Sequence, residues 1–314
     1  MGRLSIASDI RWRIVTRVFM VTGAQRTGST LLATTLGMVP GAAVVGELRL
    51  LWPSLVEGRP CACLAAASVC PVWSEVVERV LKSPGVRGHD IHDLARLNAT
   101  ALRQRDLAAF LAGRISPQLQ PLAAATQALY HALADIHGAT TLVDSSKSPA
   151  FYAFVRVLAR RSTPALSVGG VHLVRDVRGV VDSWSTDKEW KRAGWSEELR
   201  AKPWKRATQE WVAMNLGAEL ARVRPRMRFE DFAQQPETVL RRLITEAGLG
   251  QPTSDQLPIC DGAIIVRENH AIGGNVDRFD TGPVVLRTEE GWRTRMDPSL
   301  QRKLAPLARR YGYR

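Results

Sequence analysis

At 314 residues, 45% of them hydrophobic, the chain is long enough for one large α/β domain with insertions or two small domains, and apolar enough for a packed core. No apolar run approaches membrane-spanning length, and the N-terminal region has neither a signal-peptide apolar region nor a small-residue cleavage site. Neither a transmembrane helix nor a cleaved leader is therefore expected, and a cytoplasmic location is. A net charge of +13 points to an anionic partner such as a phosphorylated cofactor, an acidic glycan, nucleic acid or an anionic lipid surface. Charge alone does not choose among these, and an arginine- and alanine-rich chain is also basic for reasons unrelated to ligands.

Arg11, Trp12, Arg13, Ile14 and Arg17 form a basic lead-in, with a membrane-surface contact as its alternative reading. The apolar run Val18 to Val21 then reads as a buried strand, and Leu31 to Leu36 as the first turns of a helix. Between them lies Gly23-Ala24-Gln25-Arg26-Thr27-Gly28-Ser29-Thr30. Strand, glycine loop and helix together aim backbone N–H groups and a positive helix end at an anion. A nucleotide triphosphatase would carry a lysine after the second glycine to reach the β/γ-phosphates. Here Ser29 occupies that position, and the cation, Arg26, sits inside the loop.

The next run, Ala42 to Val45, ends at Gly46-Glu47. Cys61, Cys63 and Cys70 follow as a C-x-C-x6-C group, with Cys260 far downstream. Three thiolates and a histidine, His89 or His92 being the nearest downstream, suit zinc, but this spacing is not a standard zinc pattern. A disulfide within the group, or free buried thiols, is the expectation.

Pro71 to Gly138 is rich in Ala, Leu and Arg and reads as two or three inserted helices. Thr141 to Val143 is a strand ending at Asp144-Ser145-Ser146-Lys147, and Pro149 to Arg161 a helix. Val171 to Val174 ends at Arg175-Asp176 and leads into a helical pattern from Val177 to Trp184. Trp184 to Trp211 holds five of the nine tryptophans, interleaved with Lys188, Lys191, Arg192, Lys202, Lys205 and Arg206. Its aromatics serve either helix packing or stacking on a ligand ring. Arg226 to Phe229 ends at Glu230-Asp231, and Pro236 to Ala247 is a helix. Strands alternating with helices predict a central parallel sheet flanked by helices, with ligands bound at the carboxyl ends of its strands. Neither repeats nor a low-complexity linker interrupt the chain, so one domain spanning 1–314 with helical insertions is expected.

The lysine-less loop, Glu47 after one strand, Asp144-Ser145-Ser146-Lys147 after another, and Arg175 with Ser183 eight residues on resemble the sulfotransferases that use 3′-phosphoadenosine 5′-phosphosulfate. The resemblance continues through Arg228-Phe229-Glu230-Asp231-Phe232 and His270, Gly273-Gly274-Asn275 and Arg278. It implies a P-loop-like sulfotransferase fold and a donor held at two anion sites. Gln25, Arg26, Thr27, Gly28, Ser29 and Thr30 would hold the 5′-phosphosulfate. Arg175 and Ser183 would hold the 3′-phosphate, with Arg278 also on the donor side. It further implies Glu47 as base and Lys147 as the cation on the leaving phosphate, with no metal required. His172 and His270 are rival bases, since some sulfotransferases of this kind use a histidine.

The expected acceptor is a hydroxyl on a carbohydrate, lipid or natural product, with a glycan or lipid-linked acceptor preferred; no nucleic acid is expected as partner. Trp184 and Phe279 are candidate neighbours of the adenine. Two other classes remain open: a Mg²⁺-dependent P-loop kinase or NTPase, for which strand-end Asp144 is the best argument, and a basic nucleic-acid-binding protein.

Overall fold

In the computed structural model, residues 15–192, 195–288 and 290–314 are described; the basic lead-in Arg11, Trp12, Arg13 and Ile14 lies outside them, and Arg17 sits in the first strand. The strands in chain order are β1 (Thr16–Gly23), β2 (Ala42–Gly46), β3 (Thr141–Lys147), β4 (Leu166–Val174), β5 (Lys188–Arg192), β6 (Trp195–Leu199) and β7 (Arg226–Arg228). After them come β8 (Ile259–Cys260), β9 (Ala263–Val266) and β10 (Gly282–Val285). The central sheet has the order β2-β3-β1-β4-β7 and is parallel at every pairing. This is the parallel sheet that alternating strands and helices predict. β5 and β6 form a separate antiparallel hairpin, and β8, β9 and β10 a small antiparallel sheet.

β1 occupies the middle of the sheet and is buried on both faces, as a continuous apolar run requires. Val18 and Met20 join one core with α6 (Gln120–His137) and α7 (Pro149–Ala159), through Tyr130, Leu133 and Phe154. Phe19 and Val21 turn the other way, into a second core with Leu32 and Leu36 of α1 (Ser29–Gly37) and Leu240, Leu243 and Ile244 of α11 (Pro236–Glu246). Each such fully buried side chain contributes roughly 1.5–3 kcal/mol. The alternation of period two thus clamps the strand that launches the glycine loop.

The first core also takes in α2 (Leu51–Val56), α3 (Pro71–Leu81), α4 (Ile91–Thr100) and α5 (Leu107–Leu111). The stretch from Pro71 to Gly138 therefore holds four α-helices rather than two or three. Its short polar breaks, Ser83 to Asp90 and Ala101 to Asp106, separate amphipathic segments that a composition-level reading merges. β3 likewise runs through Asp144-Ser145-Ser146-Lys147 instead of stopping before them, and all four residues are buried. A third core joins α8 (Val177–Ser183), α9 (Trp204–Leu220) and α13 (Pro298–Arg310), with Trp184 and Trp211 inside it. α10 (Phe229–Gln234) and α12 (Trp292–Arg295) complete the set.

Candidate active site

The loop after β1 is shaped by two left-handed residues, Arg26 at φ 65° and Gly28 at φ 79°. Gly28 is needed for a second reason: a Cβ there would stand 2.2 Å from Cε2 of Phe229. The Thr27 hydroxyl donates to the Ala24 carbonyl at 2.9 Å and its side chain is fully buried, so Thr27 braces the loop and does not face the cavity beside it. Gln25, Arg26, Gly28, Ser29 and Thr30 do face that cavity, whose volume is about 1030 Å³. α1 begins at Ser29 with its unpaired N–H groups at this end.

Glu47 and Lys147 line the same cavity and form a buried ion pair, Lys147 Nζ donating to Glu47 Oε1. The pair comes from the ends of neighbouring strands: β2 and β3 run in parallel, so both carboxyl ends open on the loop side. Lys147 holds φ 62°, a conformation uncommon outside glycine that turns the chain abruptly at the strand end. Glu47 is fixed through its backbone, its N–H donating to the Ile272 carbonyl at 2.6 Å, while the Ile272 N–H donates to Val45 at 3.1 Å. Gly46 makes that approach possible. At φ 82°, a Cβ would lie 2.2 Å from the Ile272 oxygen.

Asp144, by contrast, is not on the cavity wall. It is fully buried, with Tyr130 donating its hydroxyl at 2.7 Å and the Ser146 N–H donating at 2.7 Å. Burial pushes its carboxyl up to about 6; the Ser146 and Tyr130 bonds oppose the rise, and the Glu47 charge adds to it. Asp144 is a brace inside the core, which removes the best sequence argument for a Mg²⁺-dependent NTPase.

On the far side of β1, Arg175 follows β4 and Ser183 closes α8, and both line the cavity. The Arg175 guanidinium donates to the Arg26 carbonyl at 3.0 Å, joining the two candidate anion sites directly. Arg178 plays no such part. Its Nη2 donates to the carboxylate of Asp176 at 2.6 Å and to the Arg314 carbonyl at 2.6 Å, packed over Trp292.

The segment 272–278 closes the cavity from the C-terminal side. Asn275 accepts from Arg26 Nη1 at 2.8 Å and donates its N–H to Thr30 Oγ1 at 3.3 Å. Arg278 is buried, donates to the Gly274 and Asn275 carbonyls, and lies over the Phe279 ring. Trp184 lines the cavity, with Lys202 Nζ 3.8 Å from its ring centre and Arg26 on it at 5.0 Å; Phe279 does not line it.

Sequence reasoning missed four further cations on the wall: Arg49, Arg59, Arg287 and Arg295. Only Arg49 carried a signal, being two residues beyond Glu47 in the same strand-end turn. Its buried Nε has no hydrogen-bond partner among the described residues.

The two rival histidines lie elsewhere. His172 is fully buried in β4 against Asn215, with Nε2 and Oδ1 2.8 Å apart, and neither it nor His270 lines the cavity. His270 instead meets Cys61, Cys63 and Cys70, where His89 and His92 had been the candidates. His89 pairs with Asp93 at the exposed start of α4. None of the four cysteines is in a disulfide.

No helix among the described residues is long and apolar enough to cross a membrane. Among known proteins, the model of the sulfotransferase family matches residues 18–253, well over half of the chain. No curated protein sequence matches significantly. Similar solved structures include the sulfotransferase domain from the Synechococcus PCC 7002 olefin synthase, 18% identical, covering 96% of each chain at a TM-score of 0.45. Another is the sulfotransferase domain from the curacin biosynthetic pathway, 18% identical, covering 96% of this chain and 99% of that one at a TM-score of 0.48.

Proposed function

Because the chain belongs to the sulfotransferase family, we propose that it transfers a sulfuryl group from 3′-phosphoadenosine 5′-phosphosulfate to an acceptor hydroxyl on a carbohydrate, lipid or natural product. The observation that carries this reading is a single cavity lined by two cationic groups, the Arg26 loop and Arg175, together with a buried Glu47–Lys147 pair. The donor suits these residues: its 5′-phosphosulfate and 3′-phosphate are separate anions, and the unpartnered Arg49 Nε is a further donor for one. No γ-phosphate is present, so Ser29 in place of the usual lysine removes no needed contact.

The donor supplies the sulfuryl group; the protein binds, orients and moves one proton. Gln25, Arg26, Gly28, Ser29 and Thr30, with the backbone N–H of Thr27, would grip the 5′ side, while Arg175 and Ser183 take the 3′-phosphate and Arg278 holds the closing segment. Glu47 accepts the acceptor hydroxyl's proton as that oxygen bonds to sulfur. Protonation of Glu47 removes the negative partner of Lys147. The ammonium is thereby released toward the bridging oxygen, which gains the electron pair of the breaking S–O bond. One ion pair thus serves both ends of the transfer.

Calorimetry in metal-free buffer tests donor recognition: adenosine 3′,5′-bisphosphate should bind without Mg²⁺. Mass spectrometry across a panel of hydroxyl acceptors should then reveal a gain of SO₃. Hydrolysis of ATP with Mg²⁺ and no binding of the bisphosphate would overturn the reading.

A further inference from the structure

Away from the cavity, four potential ligand atoms converge: the sulfurs of Cys61, Cys63 and Cys70 and a ring nitrogen of His270, all within 4.8 Å of one another. We propose that they form a structural zinc site of the three-cysteine, one-histidine kind. A tetrahedral zinc with bonds of about 2.3 Å to sulfur and about 2.0–2.1 Å to nitrogen sets its ligands about 3.8 Å apart for sulfur pairs and about 3.6 Å for sulfur and nitrogen. The observed separations are 3.7 Å for Cys63 to Cys70, 3.7 Å for Cys61 to His270 and 3.2 Å for Cys70 to His270. Three soft thiolates and an imidazole select zinc over the oxygen-seeking cations.

The surrounding backbone is arranged as a metal knuckle. Cys61 and Leu64 close a tight turn, the Leu64 N–H donating to the Cys61 carbonyl at 2.8 Å with Leu64 at φ 71°. Pro60 and Ala66 pair across the loop mouth. Cys70 occupies the N-cap position of α3 without a side-chain cap hydrogen bond, its sulfur beside the Trp73 and Val72 N–H groups, and the Cys61 sulfur lies beside the Cys63 N–H. Burial, the larger influence, raises the Cys61 and Cys70 thiols, and these N–H groups offset part of that rise. His270 is held from behind by Trp73, whose indole N–H donates to the His270 carbonyl at 2.8 Å. Cys61 and Cys70 are fully buried, while Cys63 and His270 are half-buried and give the ion an entry edge.

The site has a structural consequence. His270 is followed by Ala271, which accepts from the Ala62 N–H, and by Ile272, which pairs with Val45 and Glu47. A metal here would staple the 61–70 loop to the segment that closes the cavity, without touching the cavity itself. The standard spacing rule misses it because the fourth ligand lies 200 residues beyond Cys70.

The full chain, purified under reducing conditions without chelator, should carry close to one zinc by inductively coupled plasma mass spectrometry. Replacement by cobalt should give thiolate charge-transfer bands and the visible bands of a tetrahedral ion. Cys63→Ser and His270→Gln should each lose more zinc affinity than the about 10–100-fold cost of removing an outer-shell partner. Should either variant fail to fold, the cobalt spectrum of the unaltered protein still decides. The proposal is overturned by reduced protein that holds no zinc and gives no cobalt bands, by a Cys63–Cys70 disulfide as the stable native state, or by full zinc retention in both variants. None of these readouts depends on sulfuryl transfer.

Discussion

At the scale of residues, the Glu47–Lys147 pair makes the sharpest separation of roles. Glu47→Gln keeps shape while removing the proposed base, so kcat should fall about 10²–10⁴-fold with little change in affinity for adenosine 3′,5′-bisphosphate. Lys147→Ala should lower both, because in the proposed mechanism that cation would face the donor as well as the developing charge. Steady-state kinetics beside calorimetry on the same preparations distinguishes the two. Arg175→Ala should weaken the 3′,5′-bisphosphate by about 1.5–3 kcal/mol more than adenosine 5′-phosphate. Some loss for the 5′-phosphate is expected too, since Arg175 also holds the Arg26 carbonyl. Equal losses for both ligands would remove Arg175 from the 3′ site. Asp144 gives a pH signature instead. Its folded pKa of about 6 lies above the ordinary aspartate value, so the folded state binds the proton more tightly. The stability this gives is full below about pH 4 and is lost as pH rises through 6, amounting to roughly 3 kcal/mol. Asp144→Asn, which can still accept from Ser146 and donate to the Tyr130 oxygen, should flatten chemical-denaturation stability between pH 4 and 6.

At the scale of elements, the central strands and the glycine loop were legible because each is a short apolar run ending in a polar signal, and burial on both faces leaves little freedom for such a run. The end of β3 was not: Asp144 to Lys147 are polar, and only their partners Tyr130, Ser146 and Glu47 explain why polar residues stay in a buried strand. The hairpin of β5 and β6 was hidden by a pattern of tryptophans and lysines that suits a helix equally well. The approach of Ile272 to Gly46 was invisible for a different reason, since a main-chain contact across more than 200 residues leaves no local pattern. It is nonetheless testable. Gly46→Ala would place a methyl 2.2 Å from the Ile272 oxygen in a left-handed backbone. Thermal unfolding should show a loss of at least about 1–3 kcal/mol, and bisphosphate binding should fall with it, because Glu47 and the closing segment share that contact.

For the whole molecule, the charge of +13 has a place to act. The cavity wall carries Arg26, Arg49, Arg59, Lys147, Arg175, Arg278, Arg287 and Arg295 against Glu47, Asp182 and Asp277. Composition indicated an anionic partner but not where it sits, because these cations come from segments scattered from residue 26 to residue 295. An excess of one sign in a cleft raises the local concentration of an anion and is screened over about 8–10 Å at physiological salt. Raising the salt from 50 to 500 mM should therefore increase KM for the donor while kcat, which in the proposed mechanism depends on the buried Glu47–Lys147 pair, changes little. A kcat that falls in step with donor affinity would place the salt-sensitive charges at the transfer step itself.

The contact between Ile272 and the end of β2 also sets an order of events during synthesis. All five strands of the central sheet and the whole glycine loop lie before residue 229, whereas Asn275, which receives Arg26, and Arg278 lie well after it. A nascent chain therefore completes the scaffold of the site before the segment that closes it has left the ribosome. For that interval Arg26, the one cation of the loop, lacks its Asn275 acceptor, and the proposed nucleotide capture becomes one of the last properties the growing polypeptide acquires.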